Sequence, residues 1–466
     1  MPITKDTVMK QDVRELIRRM HKAEKLEEID QAVPFNIPIT PDHPFFVDFQ
    51  GLRGDFEDRI VYRSLNVRQS GNTFTFDYNN NSFNKTLLFL GGMRGSGKTS
   101  ELAKYALNLD TKDCFFVVTC NLDDELTMDN LEYMDILIFQ LEKLTQKLER
   151  HDIKINNNAL ERLQQWFSER IIEVNANIEG EVKLEGGVDS EKSILGKLLG
   201  LVGSFKVGVT GTKTRARIIR TTLKDRFIEF SQKFNEFVEE ANTALRKADK
   251  GQEVLFIIDG IEKALSTKIA KKLIIEEQGY IQQIKAYTIF TLPIHLMRER
   301  RQLEQFARVE SFPFVRIQER DGTIIQKSIN KFRDFILRRI DEKLFESEDI
   351  IQQMIRLSGG SPRELLRIIE TTAFYADEQK GVLDQYSLDK ATKRLANQAA
   401  NYLTEEHLKK LKELRDCNLQ GREIPFDDVL QELLEKIIVM EYNDGNYKRV
   451  SPLVEKSQIY QQSVIK

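Results

Sequence analysis

The chain has 466 residues, of which 41% are hydrophobic and 31% charged, and a formal net charge of −3. That length accommodates two or three domains with a large core, in the balance expected of a soluble globular protein. Near-neutral charge gives no global signature of a nucleic-acid or membrane binder, while leaving room for a local basic patch.

Cys114, Cys120 and Cys417 lack paired or metal-like spacing, and the five histidines are scattered, so no zinc cluster is legible. No apolar leader opens the chain and no run of 18 apolar residues occurs. The sequence therefore reads as a cytoplasmic protein with no membrane span and reduced thiols.

In chain order, residues 7 to 29 carry a charged helical pattern. "VPFNIPITPDHPFF" (33–46) follows, with four of the ten prolines, and no further proline appears before Pro293. Proline fixes φ and biases its predecessor toward extended structure, so this segment reads as an ordered arm. Short apolar runs then alternate with helical patterns. "KTLLFLGG" (85–92) predicts a buried strand and 98 to 109 a helix. "CFFVVTC" (114–120) predicts a second strand, with a long helix over 129 to 150. "EVLFIIDG" (253–260), "AYTIFTLP" (286–293) and "FPFVRI" (312–317) predict three more strands. Continuous apolar strands separated by helices argue a mainly parallel sheet covered on both faces.

Residues 177 to 214 break this pattern and hold eight of the 24 glycines. Two alternating runs, "EVKLEGGV" and "SFKVGVTG", flank the apolar "ILGKLLGLV". The segment reads as an insertion packed on the domain, with an oligomerisation or membrane-touching hairpin as the alternative. From about 325 to 415 the pattern is helical. "LLEKIIVMEYNDGNYKRVSPLV" (433–454) then reads as a hairpin around a Gly-containing turn.

The expected fold is α/β, a three-layer core with a mainly parallel sheet, then an all-helical unit and a small winged-helix-like unit. The expected divisions are an N-terminal helix and Pro-rich arm (1–44), the core (45–320, insertion about 177–214), the helical unit (321–400) and the C-terminal unit (401–466).

"GMRGSGKT" (92–99) fits G-x-x-x-x-G-K-[ST] between a predicted strand and a predicted helix. In this P-loop, glycines let backbone N–H groups wrap a phosphate chain, and the helix N-terminus adds its positive end. Gly92, Arg94, Gly95, Ser96, Gly97, Lys98, Thr99 and Ser100 are the expected nucleotide-binding residues. Lys98 is expected on the β- and γ-phosphates and the Thr99 hydroxyl on Mg²⁺. Five apolar residues running into Asp259 supply the second part of the Mg²⁺ site, an acid at the end of a buried strand. Many P-loop ATPases place a glutamate directly after that aspartate. Here the position is Gly260, so Glu262 becomes the candidate base or water-positioner, against the alternative of a solvated surface glutamate. Guanine-specific N-K-x-D is absent; "NKFRD" (330–334) has its aspartate one residue late, which favours adenine by default.

"GMRGSGKT", "VLFIIDGIEK" and "LSGGSPRELLRII" (357–369) together resemble the AAA+/STAND class of P-loop ATPases, nearest its origin-recognition-like and KAP-like bacterial branches. That resemblance implies ATP and Mg²⁺ as ligands and a helical lid. It makes Arg363 a γ-phosphate sensor on the lid, against a solvated arginine on a helix capped by Ser361. It makes Thr291 a sensor for the γ-phosphate or attacking water, against an ordinary strand-end threonine. "RARIIR" (Arg215, Arg217, Arg220) and "RERR" (Arg298, Arg300, Arg301) read as solvated helix faces or as an arginine finger for a neighbouring subunit. Gly260, and Lys263 where one signalling branch often has another acid, argue against motor-like turnover.

Three functions remain open on sequence. The first is a nucleotide-controlled switch acting with a protein partner or as a homo-oligomer, bacterial relatives of this architecture often serving in anti-phage defence. The second is a DNA-binding loader gripping duplex with the winged helix, disfavoured because residues 401 to 466 carry ten Lys+Arg and twelve Asp+Glu. The third is a kinase, for which no acceptor pocket is evident.

Overall fold

A computed structural model describes residues 17, 19–78, 86–176, 194–263, 267–443, 445 and 447–465. Its centre is a five-stranded parallel sheet of β3 (Leu87–Gly92), β4 (Phe115–Asn121), β5 (Glu253–Asp259), β6 (Tyr287–Pro293) and β7 (Arg308–Ser311), ordered β4-β5-β6-β3-β7. Two short strands, β1 (Val67–Ser70) and β2 (Thr73–Phe76), form a separate antiparallel pair. The register sets Leu90 beside Thr291, Ile258 beside Phe290 and Asn121 beside Asp259, so the carboxyl ends of the strands share one rim.

The strands are continuous apolar runs because both faces are covered, as parallel sheets require. Leu88, Leu90, Leu255, Ile257 and Ile289 point to one side and pack with Leu102, Tyr105 and Leu109 of α1 (Lys98–Leu109). Phe89, Val118, Phe256, Ile258 and Phe290 point to the other. There they meet α2 (Tyr133–Arg150), α3 (Asn157–Ala176), α4 (Ile194–Val209), α5 (Lys213–Asp225) and α6 (Phe227–Lys247). All five helices lie between β4 and β5 in the chain. This arrangement of loop, strand order and layers is consistent with a P-loop nucleoside-triphosphatase core.

Downstream, α7 (Gln326–Leu337), α8 (Glu348–Leu357), α9 (Pro362–Tyr375) and α10 (Gln385–Ala400) share a second core with Val33, Val47 and Phe49 of the N-terminal arm. A third core joins α11 (Glu405–Leu419), α12 (Asp428–Glu435) and the antiparallel hairpin β8 (Val439–Tyr442) and β9 (Tyr447–Val450) to Met93 and Phe314.

Several expectations are corrected. The fifth strand is 308–311, not 312–317. The backbone donors of that following segment go to three different places: Phe312 to Gly91, Phe314 to Glu441 and Arg316 to Leu52. It ties the sheet to the hairpin and the arm instead of extending a sheet edge. "SFKVGV" is the end of α4, not a strand, because Leu198, Leu201, Val202, Phe205 and Val209 form one buried helical stripe. "EVKLEGGV" lies outside the described residues, as do residues 7 to 16 and 18 of the helical pattern at 7 to 29, whose Ile17 and Arg19 are helical. Within the described part of that pattern, Ala23 is in an extended bridge with Ile340, and only short turns of helix follow at Leu26–Glu28 and Ile29–Ala32. No helix is long and apolar enough to cross a membrane among the described residues.

Candidate functional site

The loop from Gly92 to Gly97 leaves β3 at the sheet rim and enters α1 at Lys98. Gly95 adopts φ +82°, and a Cβ there would stand 3.2 Å from both the Arg363 Cβ and the Ser361 Oγ. A side chain there would be strained by the positive φ and crowded against the start of α9. The Ser361 hydroxyl donates to the Gly95 carbonyl (3.2 Å) and caps α9 by accepting from the Glu364 N–H.

The Lys98 ammonium is buried and donates to the Gly92 and Met93 carbonyls, both at 2.9 Å. Two of its three donors are used, which leaves one for an anion. Burial lowers its pKa, Glu262 and Asp259 work in the opposite direction, and Arg363 and Arg94 add to the lowering. Arg363 is likewise held below the usual arginine range, first by burial and then by Arg94. Lys98, Arg94 and Arg363 thus form a mutually repelling cationic group, which a polyphosphate chain would relieve.

Thr99 donates its hydroxyl to Asp259 Oδ2 at 2.7 Å. Asp259 Oδ1 is buried and has no hydrogen-bond partner. Burial, reinforced by Glu262, lifts the Asp259 carboxyl to about 6. An orphaned carboxylate oxygen beside a threonine hydroxyl is a donor set that fits a hard divalent cation such as Mg²⁺.

Glu262 sits on a single 3₁₀ turn, Ile261–Lys263, just past the end of β5. It accepts from the Thr291 hydroxyl at 2.7 Å, and the same hydroxyl accepts from the Gly260 N–H at 3.1 Å. Burial pushes the Glu262 carboxyl up, but Lys98 and Thr291 outweigh it, and the net position is below the usual carboxylate range. Gly260 explains why the acid is displaced. Its φ is +108°, a conformation in which a glutamate would be strained, and a Cβ would also displace the Asp123 carboxylate, whose Oδ1 would lie at 2.9 Å. Lys263 turns outward to Asp123 at 2.7 Å.

Every expected site residue lies in this neighbourhood. Arg94, Gly95, Gly97, Lys98, Thr99, Ser100, Glu262 and Arg363 line one cavity of about 380 Å³, within the range of small-molecule sites. Ser96 is fully buried with an unpartnered hydroxyl beneath the loop. Thr291 is fully buried and acts on Glu262. Of the arginine runs, Arg217, Arg298 and Arg301 are exposed, as a solvated helix face requires, and Arg220 alone departs from that reading. Arg220 is neither exposed nor free to reach a neighbour, since it is buried and forms a two-pronged pair with Asp135 at 2.9 and 2.6 Å. Arg298 pairs with Asp428 and Arg300 with Glu304.

Residues missed in the sequence also line the cavity. Ile37 and Pro38 of the arm, Phe45, Val47 and Phe49 just after it, and Phe335 and Leu366 of the helical unit give it apolar area suited to a planar ring, with Arg339 among them. Arg53 also lines the cavity, stacked 4.0 Å over Phe312 and donating to the Pro313 carbonyl at 2.6 Å. The run of aromatics after the prolines was the available signal for the arm. "NKFRD" lies within α7, helical as its pattern suggested.

No family model matches this chain, and no curated protein matches it. A solved structure, a Walker-type ATPase of Pyrococcus abyssi, is similar at 13% identity and a TM-score of 0.37, over 88% of this chain and 98% of that one. The strand order, the loop and the Thr99–Asp259 pair are each consistent with a P-loop core.

Proposed function

We propose that the protein binds Mg²⁺–ATP, hydrolyses it slowly, and uses the bound state to control the arrangement of its helical and C-terminal units. The observation that carries this reading is the junction at the loop. Ser361 is hydrogen-bonded to Gly95, the Glu441 N–H contacts the Met93 sulfur at 3.2 Å, and the Tyr442 hydroxyl donates to the Gly359 carbonyl at 2.6 Å. Helical unit, hairpin and phosphate loop thus meet within one layer of contacts, so a change in the loop is felt by both.

In this reading Lys98, Arg94 and Arg363 hold the phosphates, while Thr99 and Asp259 hold Mg²⁺, which supplies charge neutralisation on the β- and γ-oxygens. Glu262 orients water, fixed by Thr291. Its lowered pKa makes it a weak proton acceptor, which fits slow turnover. An anti-phage role with a partner effector belongs to the same proposal and rests on the motif resemblance alone.

The test is oligomer size by light scattering with ADP and with a non-hydrolysable ATP analogue, alongside ATP turnover of wild type and Lys98→Ala. Nucleotide-dependent size, lost in Lys98→Ala, is expected. The same monomer in every state, with and without candidate partners, would count against the switch.

The DNA-loader reading would draw on Lys448 and Arg449 of the hairpin, the basic pair nearest its turn. Lys448 is engaged by Glu441 at 3.2 Å and Arg449 by Glu455 at 3.1 Å, so both charges are already answered within the unit.

A further inference from the structure

Arg339 follows the last turn of α7 and is 2% exposed, the largest fully buried side chain of the described residues. Nη1 donates to the Phe335 carbonyl at 2.8 Å, an ordinary contact of a cation with a helix end. The guanidinium plane lies 3.8 Å over the Phe335 ring and 5.1 Å from that of Phe45. Nε is sealed from water without an acceptor. Among the described residues no acceptor meets Nη2 and no carboxylate pairs with the group.

A guanidinium carries five N–H donors, and leaving buried ones unmade is costly. The one hydrogen bond to Phe335 therefore accounts for only one of them. Burial, reinforced by Arg338, pulls the group down to about 9, as expected of a cation walled in by aromatic rings without a counter-charge. Arg339 lines the same cavity as the phosphate loop, together with the apolar Phe45, Val47, Phe49 and Leu366, and its guanidinium is 5.1 Å from the Phe45 ring.

We propose that Arg339 is the base-reading residue of this site, donating from its unpaired guanidinium edge to a ring nitrogen of the purine held in this cavity. This rests on the reading of the cavity as a nucleotide site. The surrounding side chains supply apolar area, which any ring can use. Arg339 supplies the directional donor that makes a purine with an acceptor nitrogen preferable to an aryl group of equal size.

The experiment measures binding of ATP, its 1-deaza, 3-deaza and 7-deaza analogues, and inorganic tripolyphosphate to wild type, Arg339→Met and Arg339→Lys. In wild type one deaza analogue is expected to bind about tenfold or more weakly than ATP, the usual effect of losing a charge-assisted hydrogen bond. In Arg339→Met that analogue and ATP bind alike, both at the weakened level, while tripolyphosphate is unchanged. Arg339→Lys retains the buried cation but loses the planar fork, and is expected to show the same merging, which guards against misfolding of the methionine variant. Equal binding of all three deaza analogues and ATP to wild type overturns the proposal, as does an Arg339 variant that weakens tripolyphosphate as much as ATP. If tripolyphosphate does not bind wild type and Lys98→Ala leaves ATP binding unaltered, the nucleotide reading itself fails.

Discussion

Thr291 donates its hydroxyl to Glu262 while accepting the Gly260 N–H, and this one side chain fixes the acid on the turn just beyond the end of β5. The hydroxyl has one hydrogen, and Glu262 receives it. Thr291 is therefore a positioning residue, and its loss should appear in turnover before binding.

Thr291→Val removes that donor at nearly constant volume. Its ATP turnover is expected to fall by about 10- to 100-fold, short of the roughly 10²- to 10⁴-fold that a positioned acid–base group contributes. Glu262→Gln keeps a partner for Thr291 and loses the charge, so it is expected to bind nucleotide like wild type and turn over least. Calorimetric affinity measured beside steady-state turnover separates the two effects. Equal turnover of Thr291→Val and wild type would remove Thr291 from the site.

Much of this site was legible because its chemistry demands fixed spacing. Gly92 to Thr99, Asp259 and Glu262 are tied to strand ends, and strands buried on both faces announce themselves as apolar runs. Other features carried no such mark. "SFKVGV" alternates like a strand, yet its helical stripe is completed by Leu198 and Leu201 upstream, and short apolar runs do not settle their own period. "FPFVRI" is apolar because it is buried between three units, not because it pairs in the sheet. Arg339 and Arg220 look like any surface arginine in sequence, since burial is set by elements far away in the chain. Gly260 was read as a missing acid. Its positive φ and the nearness of Asp123 show that the backbone turn and the displaced acid are one feature.

Asp259 gives a pH dependence of defined sign. Its folded pKa of about 6 lies above the ordinary value of 3.8, so between these the folded chain holds more protons than the unfolded one. For this group, the stability of the nucleotide-free protein is fully present below about 4 and is lost as pH rises through about 6. Asp259→Asn is therefore expected to stabilise the nucleotide-free protein at pH 7 to 8, by up to about 3 kcal/mol, with the advantage shrinking toward pH 4. Mg²⁺-dependent nucleotide binding should be lost in the variant, and in wild type should weaken below pH 6. Thermal melts across pH, with and without Mg²⁺–ATP, check both signs.

Gly260→Glu restores the residue order of many P-loop ATPases, and faster turnover would be expected if order alone mattered. The geometry predicts the opposite. A side chain at φ +108° with its Cβ 2.9 Å from Asp123 Oδ1 strains the turn that carries Glu262. The expected cost is about 1–3 kcal/mol of stability, together with reduced turnover. Gly260→Ala should show most of the same loss, because the strain begins at the Cβ. A melting temperature unchanged in both variants would refute the backbone argument.

Arg220 and Asp135 test whether the helices between β4 and β5 serve the core or a neighbouring subunit. Their pair is buried on both sides, with exposures of 9% and 2%. Removing one partner leaves the other charge stranded, at an expected cost of about 3–5 kcal/mol, whereas removing both is far milder. Arg220→Met should therefore lower the melting temperature strongly, and Arg220→Met combined with Asp135→Leu should recover much of it. An arginine finger predicts another pattern: Arg220→Met would melt like wild type and lose only turnover at concentrations where subunits assemble. Melting curves and the concentration dependence of turnover distinguish the two, and the two-pronged contact at 2.9 and 2.6 Å favours the structural outcome.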